Sequence, residues 1–131
     1  MISMRTIEVH HKPAVWLGGA IKTPPFSEKA RNWTGALIRL IQAGERLTMP
    51  HSRPMPSVGE RCHELRIADD RIDWRVIYRV DPDVVLIVEV FPKTTRSTPK
   101  HVIQTCQWRL KRFDQRRKRA DGRRNQETTR G

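Results

Sequence analysis

The sequence predicts a one-domain α+β protein built from a small antiparallel sheet and two helices. Three observations support this prediction. A length of 131 residues suits a single domain. Three short apolar segments follow one another between residues 61 and 91, separated by turn residues, which is typical of antiparallel strands. Two segments with apolar residues at helical spacing lie on either side of them.

The first half of the chain predicts one strand and one helix. Residues 14–17 form an apolar run before two glycines and predict a first strand. Further upstream, Ile7 and Val9 alternate with polar residues and fit an edge strand. Ser27 is a typical N-cap, so a helix is predicted over residues 27–43. The apolar stripe of this helix consists of Ala30, Trp33, Leu37, Leu40 and Ile41.

The second half predicts the rest of the sheet and a second helix. Residues 49–59 contain three prolines and predict a loop without regular structure. Thr98 as N-cap predicts a helix over residues 99–114. Beyond it the chain is basic and almost without apolar residues, so 116–131 is predicted to be a disordered tail and 1–115 the folded domain. The predicted strands cover residues 61–68, 72–80 and 84–91.

Residue parity along these strands separates an inner face from an outer one. The inner face is apolar, as in Trp74, Val76 and Tyr78, and both helices are predicted to pack on it. Charges on the outer face fit cross-strand ion pairs, and they equally fit an open basic face that binds phosphate. The charged outer residues are Glu64, Arg66, Arg75, Arg79 and Glu89, with Lys93 just past the last strand.

Positive charge is the strongest compositional feature. Lys and Arg number 26 against 14 Asp and Glu, a formal net charge of +12. Residues 114–131 hold only seven of the basic side chains, so the rest of the chain is strongly basic as well. Such a charge favours polyanionic partners, with nucleic acid ahead of an anionic membrane or an acidic protein.

Other classes of protein are excluded by what the sequence lacks. No apolar segment is long enough for a transmembrane helix and no secretory signal is visible, so a cytoplasmic location is expected. Cys62 and Cys106 cannot build a disulfide framework. No cluster of His and Cys has zinc spacing, so no metal and no cofactor are expected.

Five segments form an ordered set of motifs: KTPPFSEKAR (22–31), MPHSRPMPSVGERCHELRI (49–67), WRVIYRVD (74–81), EVFPKT (89–94) and TPKHVI (98–103). Together they resemble the phage-derived Gp49-like proteins, a family of the RelE/ParE toxin superfamily close to HigB-type toxins. The resemblance implies a RelE-like fold, with helices packed on one face of an antiparallel sheet and a basic concave face opposite. It also implies the toxin of a type II toxin–antitoxin pair, whose usual partner is a helix-turn-helix antitoxin from a neighbouring gene.

The resemblance further implies an endoribonuclease that cleaves messenger RNA, usually on the ribosome, and so inhibits translation; the missing metal-ligand spacing predicts that this activity is metal-independent. Arg75 matches the arginine that holds substrate phosphate, Arg66 a basic group on the neighbouring strand, and Lys93 the lysine after the last strand. Glu89 and Glu64 are candidate bases, although pairing with arginines is the favoured role for both. The residues expected to add RNA-binding charge are Arg79, Arg96 and Lys100.

Two other functions remain open at this stage. A ParE-like gyrase inhibitor on the same fold would be a binding protein without nuclease activity, and it would not need the outward arginines. A phage-derived interaction protein that has lost toxicity would carry the same motifs.

His63, the natural titrating group near neutral pH, is turned toward the core by parity.

Overall fold

The computed structural model describes residues 11–18 and 26–129. The strand expected around Ile7 and Val9 lies outside the described residues. The other predicted strands and the first helix are present, with ends shifted by one or two residues. In chain order the elements are β1 (Ala14–Trp16), α1 (Glu28–Gln42), β2 (Ser52–Pro54), β3 (Cys62–Ile67), β4 (Trp74–Val80), β5 (Val85–Pro92) and α2 (Lys100–Thr129).

The five strands form one sheet in the order β1-β5-β4-β3-β2. The strands from β2 to β5 are antiparallel to their neighbours, as the tight turns between them predict. Strand β1 is parallel to β5, with Ala14 opposite Val85, so the sheet is mixed. The α+β class is confirmed.

Strand β2 lies in the proline-rich segment that was expected to lack regular structure, and that expectation was wrong. Ser52 is opposite Leu65 and Pro54 is opposite His63 on β3. Because β2 is an edge strand, it has a side without a neighbouring strand, where a missing proline N–H breaks no ladder bond. A hydrogen bond of 2.6 Å between the Ser52 and Tyr78 hydroxyls ties this edge to the middle of the sheet.

The two helices cover opposite faces of the sheet, which corrects the prediction that both pack on one face. Helix α1 packs residues such as Leu37 into a buried cluster that contains Val76 of β4. Helix α2 packs Cys106 into a second buried cluster with Ile77 and Leu86. Both faces of the central strands are apolar, so each face needs a helix to exclude water.

A bulge in β5 explains why parity misassigned part of that strand. The register places Tyr78 opposite Ile87 but Ile77 opposite Glu89, so the residue between Ile87 and Glu89 is extra. The alternation of faces shifts at this point. Parity therefore assigns Glu89 and Val90 to the correct sides and assigns residues 84–88 to the wrong sides.

The start of α1 is fixed by two polar groups. The Ser27 hydroxyl accepts a hydrogen bond of 3.0 Å from the Ala30 N–H, which confirms the predicted N-cap. The Asp69 carboxylate accepts from the Ser27 N–H at 3.1 Å and from the Trp74 indole at 3.3 Å. These bonds anchor the helix to the turn between β3 and β4.

Helix α2 is much longer than predicted. It continues to Thr129, so the structure describes a helix over most of the segment expected to be a disordered tail. Arg117, in this extension, forms an ion pair with Asp83 in the turn between β4 and β5. At least one basic side chain of the expected tail therefore has a carboxylate partner in the folded domain.

Candidate functional site

A cleft rich in positive charge opens on the α2 side of the sheet, beside the start of α2. Strands β2, β3 and β4 and the segment between β5 and α2 form its walls. We call it the cationic cleft and define it by its ionisable lining residues, Arg53, Glu64, Arg66, Arg75, Lys93 and Arg96. Five cations share one carboxylate here, so the cleft has excess positive charge that favours an anionic ligand.

Glu64 is the carboxylate at the centre of this cleft and is only 1% exposed. Its Oε1 accepts a hydrogen bond from Arg53 Nε at 2.9 Å and lies 3.6 Å from Arg75 Nε. Its Oε2 accepts from the Thr98 hydroxyl at 3.1 Å, so Thr98 bonds a side chain instead of serving as the expected helix cap. Glu64 thus holds two arginines and the segment before α2 in fixed positions.

Arg75 is the most buried cation of the cleft, at 5% exposure. Its Nη1 donates to the carbonyl of Trp74 at 3.0 Å, and its direct cross-strand neighbour on β3 is Arg66. Burial, followed by the charge of Arg66, lowers the pKa of Arg75 from its ordinary value. Two guanidinium groups held side by side repel each other, and a phosphate between them would relieve that repulsion.

The remaining two cations lie on the segment after β5. Lys93 and Arg96 are both exposed. The backbone N–H of Lys93 donates to the carbonyl of Asp73 at 2.8 Å, which holds the start of this segment against the end of β4. Lys100 is the exposed first residue of α2 and lies outside the lining of the cleft. The structure thus brings Arg66, Arg75, Lys93 and Arg96 together and leaves Lys100 at the rim.

Glu89 does not lie in the cationic cleft, which corrects its placement as a candidate base. One carboxylate oxygen forms an ion pair of 3.0 Å with Arg109 of α2, and the other accepts from the Val90 N–H. Arg109 also donates to the Val88 carbonyl and passes so close to Gly18 that a Cβ there would clash with the guanidinium. Glu89 is on the expected face of the sheet, opposite Ile77, but α2 covers that part of β5 and Arg109 occupies the carboxylate.

Arg79 does not lie in the cationic cleft either, which corrects the expectation that it binds RNA. It is 7% exposed and donates two hydrogen bonds to Asp81, at 2.8 and 2.9 Å. Two more, at 2.7 and 3.1 Å, go to Asp114 of α2. These bonds use four of the five N–H donors, so the guanidinium fastens α2 to the end of β4.

Histidine is absent from the described residues that line the cleft. His63 lies on the α1 side, as predicted, with its ring stacked on Tyr78 at a centroid distance of 5.3 Å. Burial lowers the pKa of His63, and the nearby charge of Arg46 adds to this. Within residues 11–18 and 26–129, no three His, Cys, Asp or Glu side chains gather as metal ligands. The cleft can therefore bind and polarise an anion, while its one carboxylate is already held by arginines.

A comparison with known protein families shows which family the chain belongs to. The family model described as "Phage derived protein Gp49-like (DUF891)" matches residues 25–111, well over half of the chain. The chain belongs to the Gp49-like family. This is a RelE/ParE-like toxin family. No curated protein and no solved structure is significantly similar to the chain. Neither described helix of this Gp49-like chain is long and apolar enough to cross a membrane.

Sequence reasoning missed two residues of the cleft in this Gp49-like chain, Arg53 and Thr98. Prolines around Arg53 concealed the short strand β2 that carries it. Thr98 was interpreted as a helix cap because it precedes Pro99. Both residues lie within motif segments that carry the family resemblance, and this position is the sequence feature that could have indicated a role at the site.

Proposed function

We propose that this Gp49-like protein is the toxin of a type II toxin–antitoxin pair and an endoribonuclease that cleaves messenger RNA. The observation that carries the proposal is the cationic cleft, in which Arg66 and Arg75 are cross-strand neighbours and only one buried carboxylate offsets five cations. Two neighbouring guanidinium groups in a cleft with excess positive charge are suited to a phosphodiester. Family membership supports the toxin assignment.

In the proposed reaction the ribose 2′-oxygen attacks the adjacent phosphorus. The 2′-O–P bond forms, the P–5′-O bond breaks, the 2′-hydroxyl proton is lost, and the leaving 5′-oxygen gains a proton. Negative charge builds up on the phosphoryl oxygens between these events, where Arg66 and Arg75 would stabilise it. Lys93, an exposed residue of the cleft lining, would add charge beside the leaving oxygen.

Removal of the 2′-hydroxyl proton is the step for which the described lining residues offer no free carboxylate or imidazole. Glu64 already accepts hydrogen bonds from Arg53 and Thr98, which leaves it poorly placed to take a proton from RNA. A single carboxylate, already bonded to Arg53 and Thr98, also makes the described lining a poor donor set for a divalent cation, which needs several oxygen ligands. We therefore assign orientation of the RNA, and with it the activation of the 2′-hydroxyl, to the ribosome, and we propose a metal-independent reaction.

The proposed protein partner is a helix-turn-helix antitoxin encoded beside the toxin, and the proposed location is the cytoplasm. An acidic segment of such a partner would neutralise the cationic cleft, since complementary charge speeds association and sets orientation. Affinity purification after co-expression with the adjacent reading frame tests this pairing.

Expression in cells, followed by primer-extension mapping of transcripts, tests the proposed activity. Cuts confined to translated regions are expected for the wild type and should be lost in Arg66→Gln and Lys93→Gln. Arg31→Gln, which removes an exposed cation from α1 away from the cleft, is the matched control and should cut normally. Intact transcripts with altered DNA supercoiling would indicate a gyrase inhibitor. Unaffected growth and intact transcripts would indicate a phage-derived protein without toxicity.

A further inference from the structure

Exposed aromatic and apolar side chains lie at the β2 edge of the sheet. Trp33 of α1 is 44% exposed, and Met49, just before β2, is 56% exposed. The ring of His51, also exposed, meets the indole of Trp33 at a centroid distance of 5.6 Å and an angle of 68°. We call Trp33, Met49 and His51 the stacking platform. The T-shaped contact with His51 orients the indole and still leaves much of it open.

Arg66 connects the stacking platform directly to the cationic cleft. Its backbone N–H donates to the carbonyl of His51 at 2.8 Å, and its guanidinium Nη1 lies 3.6 Å from the sulfur of Met49. The same side chain lines the cleft next to Arg75. Among the described residues Arg66 forms no ion pair with a carboxylate. A phosphate bound by Arg66 would therefore lie beside the platform.

We propose that the stacking platform holds an unpaired base of the RNA strand whose phosphate is bound by Arg66 and Arg75. This inference rests on the proposed function, since it extends the cationic cleft to a base-binding site. Proteins that bind single-stranded nucleic acid combine a positive groove with aromatic side chains on which bases stack. In a duplex the faces of the bases are stacked on each other, so the platform selects single-stranded RNA.

The charge around the platform favours RNA over a protein as its occupant. An exposed Trp is also a common anchor in protein interfaces. However, this Trp adjoins a cleft of five cations around one carboxylate, a charge pattern complementary to a polyanion. The expected consequence is a requirement for a base, and not only a phosphate backbone, in the bound strand.

Fluorescence anisotropy with two labelled RNAs tests the proposal on the full chain. One RNA is a short unstructured single strand, and the other has the same backbone with abasic nucleotides. Trp33→Ala is expected to weaken binding of the first by about tenfold or more and to leave binding of the second unchanged. Leu40→Ala is the matched control, because Leu40 lies on the same helix and is equally exposed at 44%, and it should change neither.

Each remaining outcome has a defined meaning. Trp33→Phe should retain most of the affinity, and thermal melting of all variants checks that they fold. Equal binding of both RNAs by wild type and Trp33→Ala would overturn the inference while leaving the proposed function intact, and so would an equal loss on both RNAs. Loss of a co-purifying protein with unchanged RNA binding would assign the patch to a protein partner. Failure of the wild type to bind either RNA would count against the proposed function itself.

Discussion

Arg79→Ala is expected to destabilise the fold strongly while leaving the cationic cleft intact. The substitution removes four hydrogen bonds and leaves the carboxylates of Asp81 and Asp114 without their main partner. The side chain of Asp81 is only 5% exposed, so water cannot replace the guanidinium there, whereas that of Asp114 is 47% exposed and can be hydrated.

The expected loss in the free energy of unfolding follows from Asp81, the carboxylate that stays buried. Removing one partner of a buried ion pair costs about 3–5 kcal/mol, because an uncompensated charge remains. Arg61 still lies 3.4 Å from Asp81, which places the expected loss near the lower end, at about 3 kcal/mol. For a domain of this size that corresponds to a fall in Tm of roughly 10 °C.

Urea and thermal unfolding measure this loss, with Arg61→Ala as the control. Arg61 shares Asp81 with Arg79, but its side chain is 53% exposed, so its removal should cost less than about 1 kcal/mol. The bond from Arg79 lowers the pKa of Asp114. The contribution of the Arg79–Asp114 bond is therefore present above the ordinary pKa of an aspartate and is lost as pH falls through the lowered value, so this part of the loss in Arg79→Ala should disappear in acid. An unchanged Tm together with lost RNA binding would refute this role for Arg79.

Three further outcomes are expected. Arg75→Ala should slow RNA cleavage on the order of a hundredfold and also destabilise the fold by about 1–3 kcal/mol, because buried Glu64 loses a neighbour; full activity would remove Arg75 from the site. Hydrogen bonds from Ser27 lower the pKa of Asp69 from 3.8 to about 2. The difference in Tm between wild type and Asp69→Asn should therefore be present above the ordinary pKa and disappear as pH falls toward the lowered value; a constant difference would contradict this. Burial raises the pKa of Cys62 to about 11 and of Cys106 to about 12, so a thiol reagent at moderately alkaline pH should label both only after denaturation, and rapid labelling of the folded protein would be inconsistent with their burial.

Most helices and strands could be predicted from the sequence, because helix caps, turn residues and apolar spacing depend only on residues close together in the chain. Ser27 caps α1 as its type and position predict, and the turn pairs between the strands mark the hairpins. The arrangement of the layers could not be predicted in the same way. Arg75 and Arg79 alternate with apolar residues on β4, which suggested a solvent-exposed face, yet both are buried because Glu64 and Asp81 lie beside them. Whether a charge meets its partner is a property of the tertiary structure.

The candidate site was predictable only in part for the same reason. Arg66 and Arg75 could be grouped from strand parity and the family resemblance, because they lie on adjacent strands before any irregularity. Parity also places Glu89 on this face of the sheet, but it cannot show that α2 covers β5 there and that Arg109 pairs with the carboxylate. Arg53 could not be predicted as a cleft residue, because it lies on a three-residue edge strand that is too short to show a periodic pattern in the sequence. The roles of these residues in RNA cleavage stay predictions.

The parallel pairing of β1 with β5 has a consequence for the order of folding. Strands β2 to β5 follow one another along the chain, so they can pair through short loops. Strand β1 must close a loop of about 70 residues to place Ala14 opposite Val85, and loop closure is entropically more costly for longer loops. During synthesis β1 leaves the ribosome first but has no partner until β5 has emerged. We expect its docking to be the last step in forming the sheet, and pulse-labelling hydrogen exchange should detect late protection at Leu17, whose N–H donates to the Ile87 carbonyl at 2.8 Å.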